Sequence, residues 1–132
     1  MQQRSPIVLL WVLAVLFLVV GVAFIAAPGT FTEMAAGVAP DRASALTDIR
    51  AVSGGVALAL GVFFALCAGR PDWVAPGLLL GALVGGCLAA SRLIGFVADG
   101  GVTGTQVAFA VIEVVTVALC LLVLRGRTSV ER

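Results

Sequence analysis

The 132-residue sequence is poor in charge, and it lacks histidine and lysine altogether. Only 11% of its residues are charged. A soluble domain needs about a quarter charged residues to cover its aqueous surface, so this composition excludes a soluble globular protein. The formal net charge of +1 rests on scattered arginines that form no basic face, which excludes nucleic acid as a partner.

Motifs for metal and cofactor binding are missing as well. The three cysteines lie in apolar runs without the CxxC or Cys/His spacing of a zinc site, and they are Cys67, Cys87 and Cys120. The glycine pairs Gly54-Gly55 and Gly85-Gly86 also fall inside apolar runs, where no phosphate-binding loop forms. We therefore expect no metal site and no cofactor, and we interpret the cysteines as small buried apolar residues.

What the sequence does have is hydrophobic residues, 61% of the chain, arranged in four long runs. A helix of about 20 apolar residues crosses about 30 Å of hydrocarbon and satisfies its backbone hydrogen bonds internally. The runs predict an all-α, polytopic membrane protein, a single four-transmembrane-helix bundle over residues 1–132. The predicted helices cover residues 7–27, 48–69, 73–98 and 105–124.

The first run has a rival interpretation as a secretory signal. Its uncharged stretch from Ile7 to Ala27 is longer than the usual apolar core of a signal, about 7 to 15 residues. Pro28-Gly29 also resembles a helix stop more than a cleavage site. Both features favour a helix that is retained.

The arginines predict the orientation. Four spans place both termini on one side, and that side carries five arginines, which are Arg4, Arg70, Arg125, Arg127 and Arg132. The opposite side carries Arg42, while Arg50 and Arg92 lie at or inside the membrane. Positive residues favour the cytoplasmic side. We expect a bacterial inner (plasma) membrane protein, multi-pass, with cytoplasmic N- and C-termini and membrane lipid around it.

Small residues recur at every fourth position of two predicted helices. The third helix carries Gly77, Gly81 and Gly85, and the second carries Gly61. In lipid, helices associate through the close contact that such residues allow, so we expect these glycines to pack against other helices. The alternative is that glycine is simply abundant in this chain. The spacing leaves open whether the contacts lie within one chain or between two copies.

Five charged residues fall in the half of the bundle opposite the termini, and they are Asp48, Arg50, Arg92, Asp99 and Glu113. Charged side chains inside a membrane are energetically costly and generally face the bundle interior in pairs. We expect Arg92 to pair with Glu113, and Arg50 to pair with Asp48 or Asp99.

Several functions remain open for this charged cluster. It is either a structural set of ion pairs that fixes helix order or a polar pocket for a small ligand or a lipid. A third hypothesis is a small membrane enzyme that uses carboxylates for acid/base catalysis on a lipid-like substrate; no catalytic residue is assigned, and the sequence favours a protein without catalytic activity. A fourth is an accessory subunit that docks through its glycine faces to a larger membrane complex or to a second copy.

The connection between the first two predicted spans, Pro28 to Thr47, contains a weaker pattern, which indicates a short helix. Phe31, Met34 and Val38 have the spacing of a short amphipathic helix on the membrane surface, capped by Thr30 or Thr32. An ordinary loop is the alternative.

A set of short motifs resembles a known family. The motifs are Asp48-Ile49-Arg50-Ala51 followed by Gly54-Gly55 and Leu58-Ala59-Leu60-Gly61, then Arg92 with Gly95 and Asp99-Gly100, then a lone Glu113. Together they resemble the small four-helix bacterial membrane proteins grouped as domain of unknown function 4345. The sequence departs from that pattern at Ser53, where an aromatic residue is frequent, and at Ser91, where a glycine is frequent. The resemblance implies a four-helix fold and points to the same charged positions, but it implies no activity.

Overall fold

The computed structural model describes residues 4–128, and the regular structure of this part is helical. Arg132, which was used to predict the orientation, lies outside the described residues. There are five helices: α1, Arg4–Ala26; α2, Pro28–Ala36; α3, Ala43–Ala68; α4, Pro71–Asp99; and α5, Gly104–Thr128. Of these, α1, α3, α4 and α5 are long and apolar enough to span a membrane. The predicted all-α fold with four membrane spans is confirmed.

Helix α3 begins earlier than its hydropathy indicates. Its first residue is Ala43, five residues before the predicted start at Asp48, and the backbone of Arg42 ahead of it is extended. The first turns are polar, and Thr47 donates its hydroxyl to the carbonyl of Ala43 at 3.1 Å. A scan for apolar residues misses a helical start of this kind, because only the buried part of a membrane helix has to be apolar.

A π-helical segment, Arg50–Gly55, interrupts α3. Such segments are rare in proteins, and they change the direction in which the following side chains point. At this place Gly54 lies against α1, where an added Cβ atom would be 2.6 Å from Cγ1 of Ile25 and 3.2 Å from its backbone nitrogen. The irregular turn of α3 thus coincides with a very close approach to the last turns of α1.

The short helix α2 follows a sharp break in the chain. Ala27 has φ −136° and ψ 65°, and Pro28 occupies the first turn of α2, where its missing N–H is not needed. Ala27 precedes the helix without a side-chain cap, so the expected capping by Thr30 or Thr32 is wrong; both lie inside the helix. Phe31 of α2 packs against Phe24 of α1, with ring centroids 5.9 Å apart.

The four long helices alternate in direction, and they pack as two hairpins, α1 along α3 and α4 along α5. We call the end of the bundle at which α1 begins and α5 ends the terminal end, and the opposite end the far end. The buried core lies in the terminal half, where all four helices contribute. Its fully buried large side chains are Leu10, Phe64, Cys67, Val74, Leu78 and Cys120.

The glycines of α3 and α4 lie at helix contacts within the one chain. An added Cβ atom would be 2.8 Å from the backbone nitrogen of Leu18 at Gly61, and 2.7 Å from Cβ of Cys67 at Gly77. At Gly81 it would be 3.0 Å from Leu13 of α1, and at Gly85 it would be 3.3 Å from a backbone oxygen of α5. Helix α4 therefore uses successive turns of one glycine stripe to contact α3, then α1, then α5.

Candidate functional site

Arg92 lies on the face of α4 that packs against α5. Residues three, four and seven apart share a helix face, and Gly85 and Ala89 continue this face toward the terminal end. Ala89 is 7% exposed, and the Cβ position of Gly85 is 3.3 Å from the carbonyl oxygen of Glu113. The small residues of α4 thus bring the two backbones together one to two turns below Arg92, which places its side chain beside α5.

Arg92 and Glu113 form a two-point ion pair between α4 and α5. Nε of Arg92 donates to Oε2 of Glu113 at 3.2 Å, and Nη2 donates to Oε1 at 2.8 Å. The Arg92 and Glu113 side chains are 24% and 12% exposed, respectively. A guanidinium and a carboxylate that meet through two parallel bonds have one preferred geometry. The predicted partnership of Arg92 with Glu113 is present, and both carboxylate oxygens are engaged in it.

An aromatic ring completes the surroundings of Arg92. Phe109 lies one turn before Glu113 on α5, and the Arg92 guanidinium carbon is 5.3 Å from its ring centroid. A cation over an aromatic face gains electrostatic stabilisation that grows when water is excluded. Arg92 therefore interacts with α5 through a carboxylate at its edge and an aromatic ring at its face.

The pair lies well inside the predicted membrane spans. At 1.5 Å rise per residue, Arg92 is about 10 Å from the far end of α4, and Glu113 is about 14 Å from the start of α5. Both positions fall within a hydrocarbon layer of about 30 Å crossed by helices of this length. At this depth an unpaired charge is energetically unfavourable. Arg92 and Glu113 therefore each need the opposite charge of the other to be tolerated inside the membrane.

A cleft leads from the far end of the bundle down to Arg92. Its volume is about 250 Å³, and its lining residues are Arg92, Gly95, Phe96, Asp99, Gly101 and Gln106. Glu113 is not part of this lining. Asp99 at the rim is exposed and is not hydrogen-bonded to any other described residue. The cleft therefore has a cationic group at its inner end and a carboxylate at its mouth.

The first turn of α5 fixes Gln106 at this rim. The backbone N–H of Thr103 donates to Oε1 of Gln106 at 3.2 Å, and the N–H of Gln106 donates to the Thr103 hydroxyl at 3.3 Å. This reciprocal pair is a capping box, which stabilises the start of a helix. This capping box was not predicted, although Thr-x-x-Gln ahead of an apolar run is its sequence signature.

The remaining two residues of the predicted cluster are placed differently. Arg50 is exposed, and its Nε donates to the backbone oxygen of Ile25 at 3.1 Å. This oxygen belongs to the last turn of α1, where carbonyl groups have no partner within the helix. Asp48 is exposed and, like Asp99, forms no ion pair with Arg50 among the described residues. The expected pairing of Arg50 with a carboxylate is therefore wrong: Arg50 joins α3 to α1, apart from the ion pair of α4 and α5.

Comparison with known proteins identifies one match. A family model described as Domain of unknown function (DUF4345) matches residues 7–124, which include all four membrane spans apart from their outermost residues. No curated protein and no solved structure matches the chain.

Proposed function

The chain belongs to the DUF4345 family, a family of unknown function, and we propose that Arg92 and Glu113 serve as a structural ion pair that holds α4 against α5 inside the membrane. The observation that supports this is the two-point geometry, in which both oxygens of Glu113 accept from one guanidinium. A pair of this kind has one best register, because a shift of either helix by one residue separates the two groups. Its role is to select one packing of the bundle.

A catalytic role for Glu113 has less support. A general acid must hold a proton and reach the substrate, whereas both oxygens of Glu113 face Arg92. The cleft that a substrate would enter is lined by Arg92 and not by Glu113. The geometry therefore favours a role for Glu113 in structure over one in acid/base chemistry.

A double-mutant cycle in detergent tests the structural role. Arg92→Gln and Glu113→Gln are each expected to lower the free energy of unfolding by about 2 to 4 kcal/mol, because each leaves a charge without its partner. The double substitution removes both charges and is expected to be less destabilising than the sum of the two, by about 1 to 2 kcal/mol. Unfolding by sodium dodecyl sulfate, followed by circular dichroism, measures all three values.

Asp48→Asn is the matched control for this cycle. Asp48 is an exposed carboxylate on α3, so its neutralisation is expected to change the free energy of unfolding by less than about 0.5 kcal/mol. Strictly additive effects of Arg92→Gln and Glu113→Gln would contradict the proposal, because they would mean that the two side chains do not stabilise each other.

The proposed setting is the inner membrane of a bacterium, with both termini in the cytoplasm. The described arginines at the ends of the spans support this orientation. Arg70 lies between α3 and α4 and Arg125 lies near the C-terminal end of α5, both at the terminal end, while Arg42 precedes α3 at the far end. Arg70 also stacks on Trp73, with its guanidinium carbon 4.9 Å from the ring centroid, and basic and aromatic residues of this kind are typical of the membrane interface.

A second candidate is an accessory subunit that docks through α5 to a membrane partner or to another copy of the chain. The observation in its favour is the unequal burial of the spans. In the most apolar stretch of α5, 6% of residues are buried, against 22% in α1, 33% in α3 and 39% in α4. Chemical crosslinking in native membranes, followed by the mass of the detergent-solubilised protein, distinguishes a complex from a monomer surrounded by lipid.

A further inference from the structure

We propose that the cleft between α4 and α5 binds the head group of a phospholipid that carries both a phosphate and a primary amine, with the ammonium group at Asp99 and the phosphate toward Arg92. The inference rests on the proposed structural pair, since it takes Arg92 as held by Glu113. The ion pair alone does not explain the cleft beside it, and the proposal assigns that cleft a ligand.

The size and position of the cleft favour a head group over a whole small molecule. Pockets for drug-sized ligands have volumes of about 300 to 1,000 Å³, and this cleft has about 250 Å³. It opens at the far end of the bundle, where Val102 is 52% exposed and Val107 is 45% exposed. Each directly follows a lining residue in the sequence, Gly101 or Gln106, so apolar surface for acyl chains adjoins the polar cleft.

The charges of the cleft select against a purely anionic ligand. Glu113 neutralises Arg92 through two hydrogen bonds, whereas Asp99 has no cationic partner among the described residues. Oδ2 of Asp99 lies 3.7 Å from the position where Gly95 would carry a Cβ atom, so the carboxylate folds back over the cleft. Phe96 adds an aromatic ring to the lining, which also favours an ammonium group.

The cleft also provides hydrogen-bond donors for a phosphate that lies deeper than the ammonium group, toward Arg92. Arg92 uses Nε and Nη2 for Glu113, while its Nη1 has no partner among the described residues. Gln106 accepts from Thr103 with its amide oxygen, so its amide nitrogen remains a donor at the rim. In a lipid of the far leaflet the phosphate lies deeper than the amine, which matches the order of a cation inside and a carboxylate at the mouth.

Native mass spectrometry of the delipidated full-length protein in dodecyl maltoside tests this proposal. Phosphatidylethanolamine, phosphatidylglycerol and phosphatidylcholine with identical acyl chains are added in turn. Phosphatidylethanolamine is expected to bind about tenfold more tightly than phosphatidylglycerol, because its ammonium group forms a charged hydrogen bond with Asp99. Phosphatidylcholine is expected to bind more weakly than phosphatidylethanolamine, because its ammonium group has no N–H to donate.

Two variants and one control test whether the preference for phosphatidylethanolamine arises in the cleft. Asp99→Asn is expected to abolish the preference for phosphatidylethanolamine, and Gly95→Leu is expected to abolish binding by filling the cleft. Asp48→Asn, a second exposed carboxylate outside the cleft, is expected to bind like the wild type. If Asp99→Asn keeps the wild-type preference, the head-group site is wrong, while the structural pair is judged separately by its unfolding cycle.

A soluble competitor separates the lipid from a free ligand with the same chemistry. O-phosphoethanolamine carries the same two groups without acyl chains, and it is expected to leave the bound lipid in place even in large excess. Displacement at concentrations comparable to the lipid would overturn the proposal, because it would identify the ligand as a soluble amino phosphate.

Discussion

Two glycines of α3 have opposite surroundings, although they are six residues apart. At Gly61 an added Cβ atom would be 2.8 Å from the backbone nitrogen of Leu18, an atom that cannot move aside without shifting α1. At Gly55, beyond the adjoining backbone of its own helix, the nearest atom to an added Cβ is the carbonyl oxygen of Arg50, at 3.9 Å. Sequence spacing alone does not distinguish the two positions, since each glycine has alanines four residues before and after it: Ala51 and Ala59 for Gly55, and Ala57 and Ala65 for Gly61.

Alanine substitution is expected to separate these two glycines. Gly61→Ala forces α1 and α3 apart and is expected to lower the free energy of unfolding by about 1 to 3 kcal/mol. Gly55→Ala is the control, and it is expected to leave stability unchanged or raise it by up to about 1 kcal/mol, because alanine is the better helix former. Detergent unfolding of both variants provides the comparison. Equal effects would mean that α1 and α3 do not approach closely at Gly61.

At the scale of the helix, the start of α5 is held by a defined pair of hydrogen bonds. Thr103→Ala removes the hydroxyl that accepts from Gln106 and is expected to lower the free energy of unfolding by about 1 kcal/mol. Faster amide exchange in the first turn of α5 is the local readout. Thr105→Ala, two residues further along α5, is the control; a similar effect there would show that the loss is not specific to the cap.

Some features of the helices are predictable from the sequence and others are not. Hydropathy alone predicts the four spans, because long apolar helices are required to cross lipid, and the cost of an unpaired charge in the membrane predicts the pairing of Arg92 with Glu113. The π segment of α3 and the bond from Arg50 to α1 were not predicted. The bond from Arg50 depends on where the last carbonyls of α1 lie, and the spacing of residues within α3 does not encode that position.

For the whole molecule, the proposed orientation makes a prediction that fusion proteins can check. Green fluorescent protein fused after the C-terminus is expected to fluoresce, and alkaline phosphatase at the same position is expected to be inactive, because the arginines favour the cytoplasm on that side. Alkaline phosphatase inserted at Asp41, at the far end, is expected to be active. The reverse result at both positions would invert the bundle and place the cleft in the other leaflet.

The position of the buried core gives the two ends of the bundle different resistance to opening. Its large side chains, among them Leu10, Phe64 and Cys120, lie in the terminal half, whereas the described residues of the far half include no fully buried large side chain. Parts of a protein with few buried apolar contacts open at a lower free energy than the core. The far half is therefore expected to open at a lower free energy than the terminal half, and breaking the Arg92–Glu113 ion pair is expected to lower that free energy further.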